Sequence, residues 1–111
     1  LLARASKTFA FWGEPTLDSL LSTVDWKQKC HSKVAVWASG GIRSGLDAAK
    51  CIAMGAESVG FAKPALVAAQ SGEKNLHAWM DQVEFELKVA LLCTASKNPD
   101  ELRKGNKWRK I

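Results

Sequence analysis

Hydrophobic residues recur at helical spacing in two long stretches of the chain. Within residues 15–24, apolar side chains fall at i, i+3, i+4 and i+7 behind Pro15, which suits a first helical position. We predict a helix there, ended by the polar residues 27–32. A longer amphipathic helix is predicted over residues 73–94, with Glu84 and Lys88 paired on its exposed side. Its apolar stripe, which we expect to pack in the core, consists of Leu76, Trp79, Met80, Val83, Leu87, Ala90 and Leu91.

Three shorter helices are predicted from the residues that mark their ends. Ser44 and Asp47 have the spacing of a capping box at the start of residues 44–54, and Gly55 stands where a C-terminal cap belongs. The other two are a helix over residues 65–70 behind Pro64 and a last one that begins at Asn98 and stops at Gly105.

Two short apolar runs bounded by turn residues predict buried strands at residues 33–38 and 58–62. They begin about 25 residues apart with a helix between them, which is the spacing of a parallel βαβ unit. The predicted order is therefore a helix, a strand, a helix, a second strand and then further helices. Two strands form a poor sheet because both are edges. We therefore expect the end of a larger α/β protein, and the absence of a Met before Leu1 fits a processed or partial chain.

The composition is that of an ordinary globular domain, with 111 residues, 47% hydrophobic and 24% charged. These values exclude a disordered chain. No apolar run approaches the ~20 residues of a membrane-spanning helix, and no secretory signal pattern is visible. We accordingly expect a cytoplasmic protein with no membrane partner.

The positive charge is concentrated near the carboxyl end of the chain. Residues 97–111 carry a net charge of +4 out of +5 for the whole sequence. Such a tail can bind phosphate polymers or anionic membranes, but a solvated terminus is the more common situation. Trp108 alone is a thin platform for stacking bases. We therefore predict no specific nucleic-acid site.

The cysteines and histidines do not form a metal-binding pattern. Cys30, Cys51 and Cys93 are odd in number and far apart, which indicates reduced thiols. Cys51 and Cys93 lie within apolar helical patterns, so we expect both to be buried. His31 and His77 lack the spacing of zinc ligands.

The residues with the clearest chemical potential follow the two predicted strands. After the first, Gly40 and Gly41 turn the chain into a helix whose N–H groups, with Ile42 and Arg43, can bind an anion. After the second, Ala62 and Lys63 again precede a helix. A tight turn with an exposed arginine would explain the first loop alone. Parallel neighbours, however, place both loops at one rim, and (β/α)8 barrels bind phosphate after strands 7 and 8. We therefore predict a phosphate site.

Several stretches resemble the FMN-dependent (β/α)8-barrel enzymes, and in particular type 2 isopentenyl-diphosphate isomerases. The glycine loop A-S-G-G-I-R-S-G-L-D-A-A-K at residues 38–50, followed by M-G-A at 54–56 and G-F-A-K-P at 60–64, is shared with other FMN barrels. Two stretches favour the isomerases: F-A-F-W-G-E-P-T at residues 9–16, which is similar to the start of helix 6, and A-L-L-C-T-A-S-K-N at 90–98, which is similar to the end of the final barrel helix.

The resemblance implies an α/β fold formed by the C-terminal βα units, about strands 7 and 8 with their flanking helices, of a (β/α)8 TIM barrel. Residues 1–97 would belong to the barrel and residues 98–111 would form a short terminal helix and basic tail. The implied activity interconverts isopentenyl and dimethylallyl diphosphate and uses reduced FMN, NADPH and Mg²⁺. The ligands of the Mg²⁺ ion would lie outside this chain. The implied FMN-binding residues are Gly40, Gly41, Ile42, Arg43, Ala62 and Lys63.

The resemblance also implies partners for this chain. The sequence departs from the family pattern at three positions, and two other functions are alternatives. The partners would be a small diphosphate substrate, the remainder of the barrel and further copies in a homo-oligomer. Lys63 stands where Arg is common, and Ala95 and Ser96 stand where the family has Gly and Ala. No catalytic residue of the family falls in this segment, so we expect the chain alone to be inactive. The alternatives are another FMN barrel, such as an α-hydroxy-acid oxidase, and a non-catalytic binding remnant.

Overall fold

The structure, a computed structural model that describes residues 1–109, is mainly helical and contains two short strands. In chain order the elements are α1 (Leu2–Thr8), α2 (Thr16–Lys29), β1 (Trp37–Ser39), α3 (Gly45–Ala53), β2 (Ser58–Gly60), α4 (Lys63–Gln70), α5 (Glu73–Cys93) and α6 (Pro99–Lys104). The predicted order of alternating helices and strands is confirmed, and α1, which no pattern indicated, is added at the start. None of the described helices has both the length and the hydropathy needed to cross a bilayer.

The two strands pair in parallel, with Ala38 opposite Val59, and α3 connects them. The α/β class and the parallel βαβ unit are therefore confirmed. Both strands are shorter than predicted, since residues 33–36 and 61–62 lie outside them. The first run is also not uniformly buried, because Val34 is 60% exposed. Each strand has a single partner among the described residues, so the flanking backbone has no neighbour with which to extend the ladder.

Helix α2 continues five residues beyond its predicted end. The polar stretch does not stop it, because Lys29 pairs with Asp25 one turn earlier at 2.6 Å and Lys27 pairs with Glu57 at 2.6 Å. Pro15 is the N-terminal cap residue rather than the first helical residue. The predicted start of α3 is confirmed, since Ser44 caps it by accepting a hydrogen bond from the Asp47 N–H.

The core consists of two adjoining clusters beneath α3. One joins α2 and β1 to α3 and includes Leu20, Ala38 and the fully buried Cys51. The other joins α6 to α3 through Leu102, which is 2% exposed. Trp108 packs against both clusters. The expectation of a solvated tail is therefore wrong for Trp108, which is partly buried against both clusters; residues 110–111 lie outside the described residues.

Helix α5 packs less deeply than its pattern predicts. None of its residues is buried, although most of the predicted stripe is half-buried against the neighbouring helices. Met80 is exposed, and the prediction that Cys93 is buried is wrong, since that thiol is exposed as well. Met80 and Cys93 lie on parts of α5 that no other described element covers. The predicted Glu84–Lys88 pair is confirmed, with 2.6 Å between its charged atoms.

The accessible surface is large for a chain of this size. It measures 8624 Å², whereas a folded monomer of 12.1 kDa is expected to expose about 6,000 Å². The radius of gyration is 15.9 Å, against about 13 Å for a compact domain of this length. Much of the excess comes from residues 1–13, every one of which is exposed.

Candidate functional site at the carboxyl ends of the two strands

The glycine turn follows β1 directly. Gly40 has a φ of +104° and Gly41 a φ of +70°, conformations that side chains rarely adopt. The Thr16 hydroxyl, at the start of α2, donates a hydrogen bond of 2.8 Å to the Gly40 carbonyl. A Cβ on Gly40 would lie 3.0 Å from that hydroxyl oxygen. The first glycine is therefore required both by its conformation and by the close approach of α2.

The backbone N–H groups at the start of α3 already have acceptors within the protein. The Arg43 N–H donates to a carboxylate oxygen of Asp47 at 3.1 Å, and the Asp47 N–H donates to the Ser44 hydroxyl at 3.1 Å. The Gly45 N–H donates to Glu86 of α5 at 2.7 Å. Two carboxylates thus occupy the positive end of the α3 dipole. The hydrogen bonds within the described part of the chain leave the N–H groups of Gly41 and Ile42 unused.

The second loop leads from β2 into α4. Phe61 follows the strand, and its ring meets that of Trp79 edge to face, with 5.3 Å between ring centroids. Ala62 is the N-terminal cap residue of α4, and Lys63 and Pro64 lie in its first turn. The Phe61–Trp79 contact attaches this loop to α5.

Arg43 and Lys63 come together in one cleft. The cleft has a volume of about 600 Å³, and Pro64, Val67, Ala68 and Trp79 form the rest of its wall. Neither cation forms a salt bridge with a carboxylate in residues 1–109. Two unpaired cations beside an apolar wall can bind an anionic group that carries a less polar body.

The other predicted residues lie elsewhere. Gly40, Gly41 and Ile42 line a second cavity of about 610 Å³ between α2 and α3, which Asp47 and Arg109 also line. Ile42 is 6% exposed, so it is available to a ligand chiefly through its backbone. Ala62 lines neither space. The structure thus brings the two cations together in one cleft. The glycines belong to the same loop as Arg43 but line the second cavity.

A third cavity, of about 960 Å³, lies at the opposite end of the strands. Lys27, Glu57 and Arg103 are among its lining residues. The salt bridges Lys27–Glu57 and Arg103–Asp100 already pair two of its cations, and the ammonium of Lys27 holds the pKa of Glu57 below its usual range. This cavity is less suited to an anion than the cleft of Arg43 and Lys63.

Sequence reasoning missed Glu86 and Trp79 as members of this region. Glu86 accepts hydrogen bonds from the Gln82 side chain at 2.9 Å and from Gly45, and these donors hold its pKa below the usual value, the Gln82 bond most strongly. No local spacing could reveal the contact, because Glu86 and Gly45 are 41 residues apart. Trp79 was assigned to the core stripe from its helical spacing, which does not distinguish a core wall from a cleft wall.

The other titratable groups described by the structure lie apart from this cleft. Among the described residues, no group of three or more His, Cys, Asp and Glu side chains could hold a metal ion. Burial raises the pKa of the Cys51 thiol, as expected of an unreactive core cysteine. His77 lies on the surface of α5, 3.7 Å from Glu73.

Comparison with known proteins identifies relatives of this chain. The isopentenyl-diphosphate delta-isomerase of Bdellovibrio bacteriovorus is 42% identical over 103 residues, which are 93% of this chain and 28% of that protein. The protein of the same name from a Synechococcus species is 43% identical over 104 residues, 94% of this chain and 29% of its own length. This chain therefore spans less than a third of these relatives. The family profile described as FMN-dependent dehydrogenase matches residues 13–109, nearly the whole chain, so the chain belongs to the FMN-dependent dehydrogenase family.

Proposed function

We propose that this chain is the part of an FMN-dependent isopentenyl-diphosphate isomerase that binds the cofactor phosphate. The whole enzyme would interconvert isopentenyl and dimethylallyl diphosphate in isoprenoid biosynthesis. The observation that carries the proposal is the cleft that contains Arg43 and Lys63, from the loops after two adjacent parallel strands. Neither side chain has a carboxylate partner within residues 1–109. The names and the 42–43% identity of the relatives support the choice of reaction.

The residues of the two loops fit a phosphate monoester. Arg43 would donate a forked pair of hydrogen bonds to the phosphate, and Lys63 would supply a compact positive charge. The free N–H groups of Gly41 and Ile42 lie on the same turn as Arg43, and Gly40 and Ala62 would let the backbone approach closely. When bound, FMN would supply proton transfer without net redox change; NADPH would keep it reduced, and the ligands of Mg²⁺ would lie outside this chain. This chain would hold and orient the cofactor.

The proposal includes a place for the chain in the barrel. β1 and β2 would be strands 7 and 8 of a (β/α)8 barrel, and α4 would be the short extra helix that contributes to the phosphate site. Residues 1–97 would belong to the barrel, and residues 98–111 would form a terminal helix and basic tail. The other proposed features are a cytoplasmic location, a homo-oligomeric parent enzyme and partners that include the rest of the barrel.

A hybrid enzyme tests the proposal. In it, this chain replaces the matching segment of the Bdellovibrio bacteriovorus isomerase. We expect the hybrid enzyme to bind FMN and to convert isopentenyl diphosphate to dimethylallyl diphosphate, measured by product analysis. A hybrid enzyme that folds and yet binds FMN no tighter than riboflavin, which lacks the phosphate, would refute the assigned role of this chain.

The description of the matching family, FMN-dependent dehydrogenase, supports a second candidate function. This function is that of a dehydrogenase or oxidase of 2-hydroxy acids. Such an enzyme uses a histidine base near the flavin, and neither His31 nor His77 follows a strand in the structure. The matched test is reduction of bound FMN by a panel of 2-hydroxy acids. Reduction without isomerase activity, in the complete protein that carries this segment, would favour the dehydrogenase.

A further inference from the structure

We propose that Glu86 is a positioning residue for the cofactor phosphate, although it lies on α5 and outside both strand-end loops. Its carboxylate would hold the start of α3, and through it Arg43, in the orientation that phosphate binding needs. This inference rests on the proposed function, because it assumes that the cleft of Arg43 and Lys63 receives the FMN phosphate.

The hydrogen bond from Gly45 to Glu86 is short, and a second hydrogen bond holds the other oxygen of the same carboxylate. One carboxylate oxygen of Glu86 accepts the Gly45 N–H at 2.7 Å, and the other accepts the Gln82 amide at 2.9 Å. Gln82 lies one turn before Glu86 on α5, so the carboxylate is held between its own helix and α3. A hydrogen bond to a charged, partly buried acceptor constrains its donor more strongly than a neutral bond does.

The two helices touch at backbone distance at this point. A Cβ on Gly45 would lie 2.2 Å from the Val83 carbonyl oxygen and 2.6 Å from the Cβ of Glu86. No side chain fits between α3 and α5 there, so a shift of α5 passes directly to Gly45. Arg43 is two residues away, and its own N–H is bonded to Asp47 in the first turn of the same helix. The orientation of Arg43 therefore depends on where α5 holds the start of α3.

Glu86 has two opposing effects on a nearby phosphate. As a negative charge it repels the phosphate, and as an acceptor it orders the loop that presents Arg43. The carboxylate also takes up the Gly45 N–H, so the start of α3 contributes little to anion binding and the side chains of Arg43 and Lys63 contribute more. Replacement by Gln separates the effects, because Gln removes the charge but keeps an oxygen that can accept the Gly45 N–H.

The experiment measures the affinity of the hybrid enzyme for FMN and for riboflavin, by flavin fluorescence quenching. We expect Glu86→Ala to weaken FMN binding about tenfold, an effect of the size of one lost hydrogen bond to a charged group, and to leave riboflavin binding within about twofold of that of the unsubstituted protein. Glu86→Gln should retain FMN affinity. Glu84→Ala, on the same helix and paired only with Lys88, is the matched control and should change neither affinity.

Each outcome decides the proposal. Equal losses of FMN and riboflavin affinity in Glu86→Ala would indicate general destabilisation and overturn it, as would unchanged binding of both. Tighter FMN binding in both Glu86 variants would show that charge repulsion dominates and would also overturn the positioning role. If Glu86→Ala does not fold, Glu86→Asp, whose shorter side chain cannot span the 2.7 Å contact, is compared in the same way. Equal affinity of the unsubstituted hybrid enzyme for FMN and riboflavin would instead refute the proposed function.

Discussion

The lysine and arginine side chains of this chain differ chiefly in whether another protein group already binds them. Lys27, Lys29, Lys88 and Arg103 each pair with a carboxylate. Lys107 instead donates hydrogen bonds to two carbonyls and a hydroxyl at the carboxyl end of α5. Arg43 and Lys63, which lie in one cleft, form no salt bridge with a carboxylate among the described residues. Charge at a single position therefore predicts function only when its partners are known.

The first prediction concerns Arg43. In the hybrid enzyme, Arg43→Ala should weaken FMN binding by roughly 1.5–3 kcal/mol, because it removes hydrogen bonds to a charged phosphate. Fluorescence quenching of FMN measures the affinity. Arg4→Ala, at an exposed position on α1, is the control and should have no effect. FMN affinity unchanged by Arg43→Ala would remove this residue from the site.

The second prediction concerns Lys107. Its ammonium contacts the Thr94 and Ala95 carbonyl oxygens at 2.7 and 3.1 Å and the Ser96 hydroxyl at 3.0 Å, which stabilises the negative end of the α5 dipole. Lys107→Ala should lower the free energy of unfolding of the hybrid enzyme by about 1 kcal/mol, measured by urea unfolding. Lys33→Ala, at an exposed loop position, should leave it unchanged. Equal stability of the two variants would show that the contacts contribute nothing.

At the scale of elements, the crossing of α3 and α5 determines how the site is assembled. α3 begins at the glycine turn, and α5 carries both Glu86 and the cleft residue Trp79. The two helices approach so closely only because residue 45 is glycine. Helix α5, which forms part of the cleft wall, and helix α3, which begins beside the cleft, thus come into backbone contact at Gly45.

The third prediction concerns this crossing. Gly45→Ala places a methyl group 2.2 Å from the Val83 carbonyl oxygen, so the helices must separate. We expect a loss of about 1–3 kcal/mol in the free energy of unfolding of the hybrid enzyme, the usual cost of overpacking, together with weaker FMN binding. Gly13→Ala is the matched control, because a Cβ at Gly13 meets no atom within 4 Å. If both substitutions are equally tolerated, the crossing is looser than the structure indicates.

At the scale of the whole molecule, the described residues leave much of their apolar surface uncovered. β1 and β2 have one partner each, and a two-stranded parallel sheet is not a stable unit by itself. Large side chains such as Phe11, Trp12 and Leu92 are at least four-fifths exposed. The accessible surface exceeds the expectation for a monomer by an area comparable to a large protein interface.

The fourth prediction follows from that surface. Residues 1–111 expressed alone should fold poorly or self-associate, because two open sheet edges and exposed apolar side chains favour association. Light scattering after size-exclusion chromatography measures the mass, and thermal unfolding at several concentrations measures cooperativity. A monomer with a sharp, concentration-independent unfolding transition would contradict this prediction. In the hybrid enzyme the same segment should be protected from amide hydrogen exchange at β1 and β2.

The sequence by itself determined the elements whose signals are local. The Ser44 cap, the starts of α5 and α6 and the Glu84–Lys88 pair all depend on residues within one or two turns, where spacing alone sets geometry. The glycine turn was predictable for the same reason, and the parallel order of the strands followed from the helix that lies between them along the chain. Local hydrogen bonds and backbone preferences act on these segments whatever lies around them.

Only the tertiary structure decided which distant groups meet. The lengths of the strands depended on available partners, and the exposure of Cys93 depended on which side of α5 other elements cover. The meeting of Arg43 with Lys63 and the bond from Gly45 to Glu86 join separate elements across the fold. Burial and long-range hydrogen bonding are properties of packed surfaces, and residue spacing along one helix or strand does not specify them.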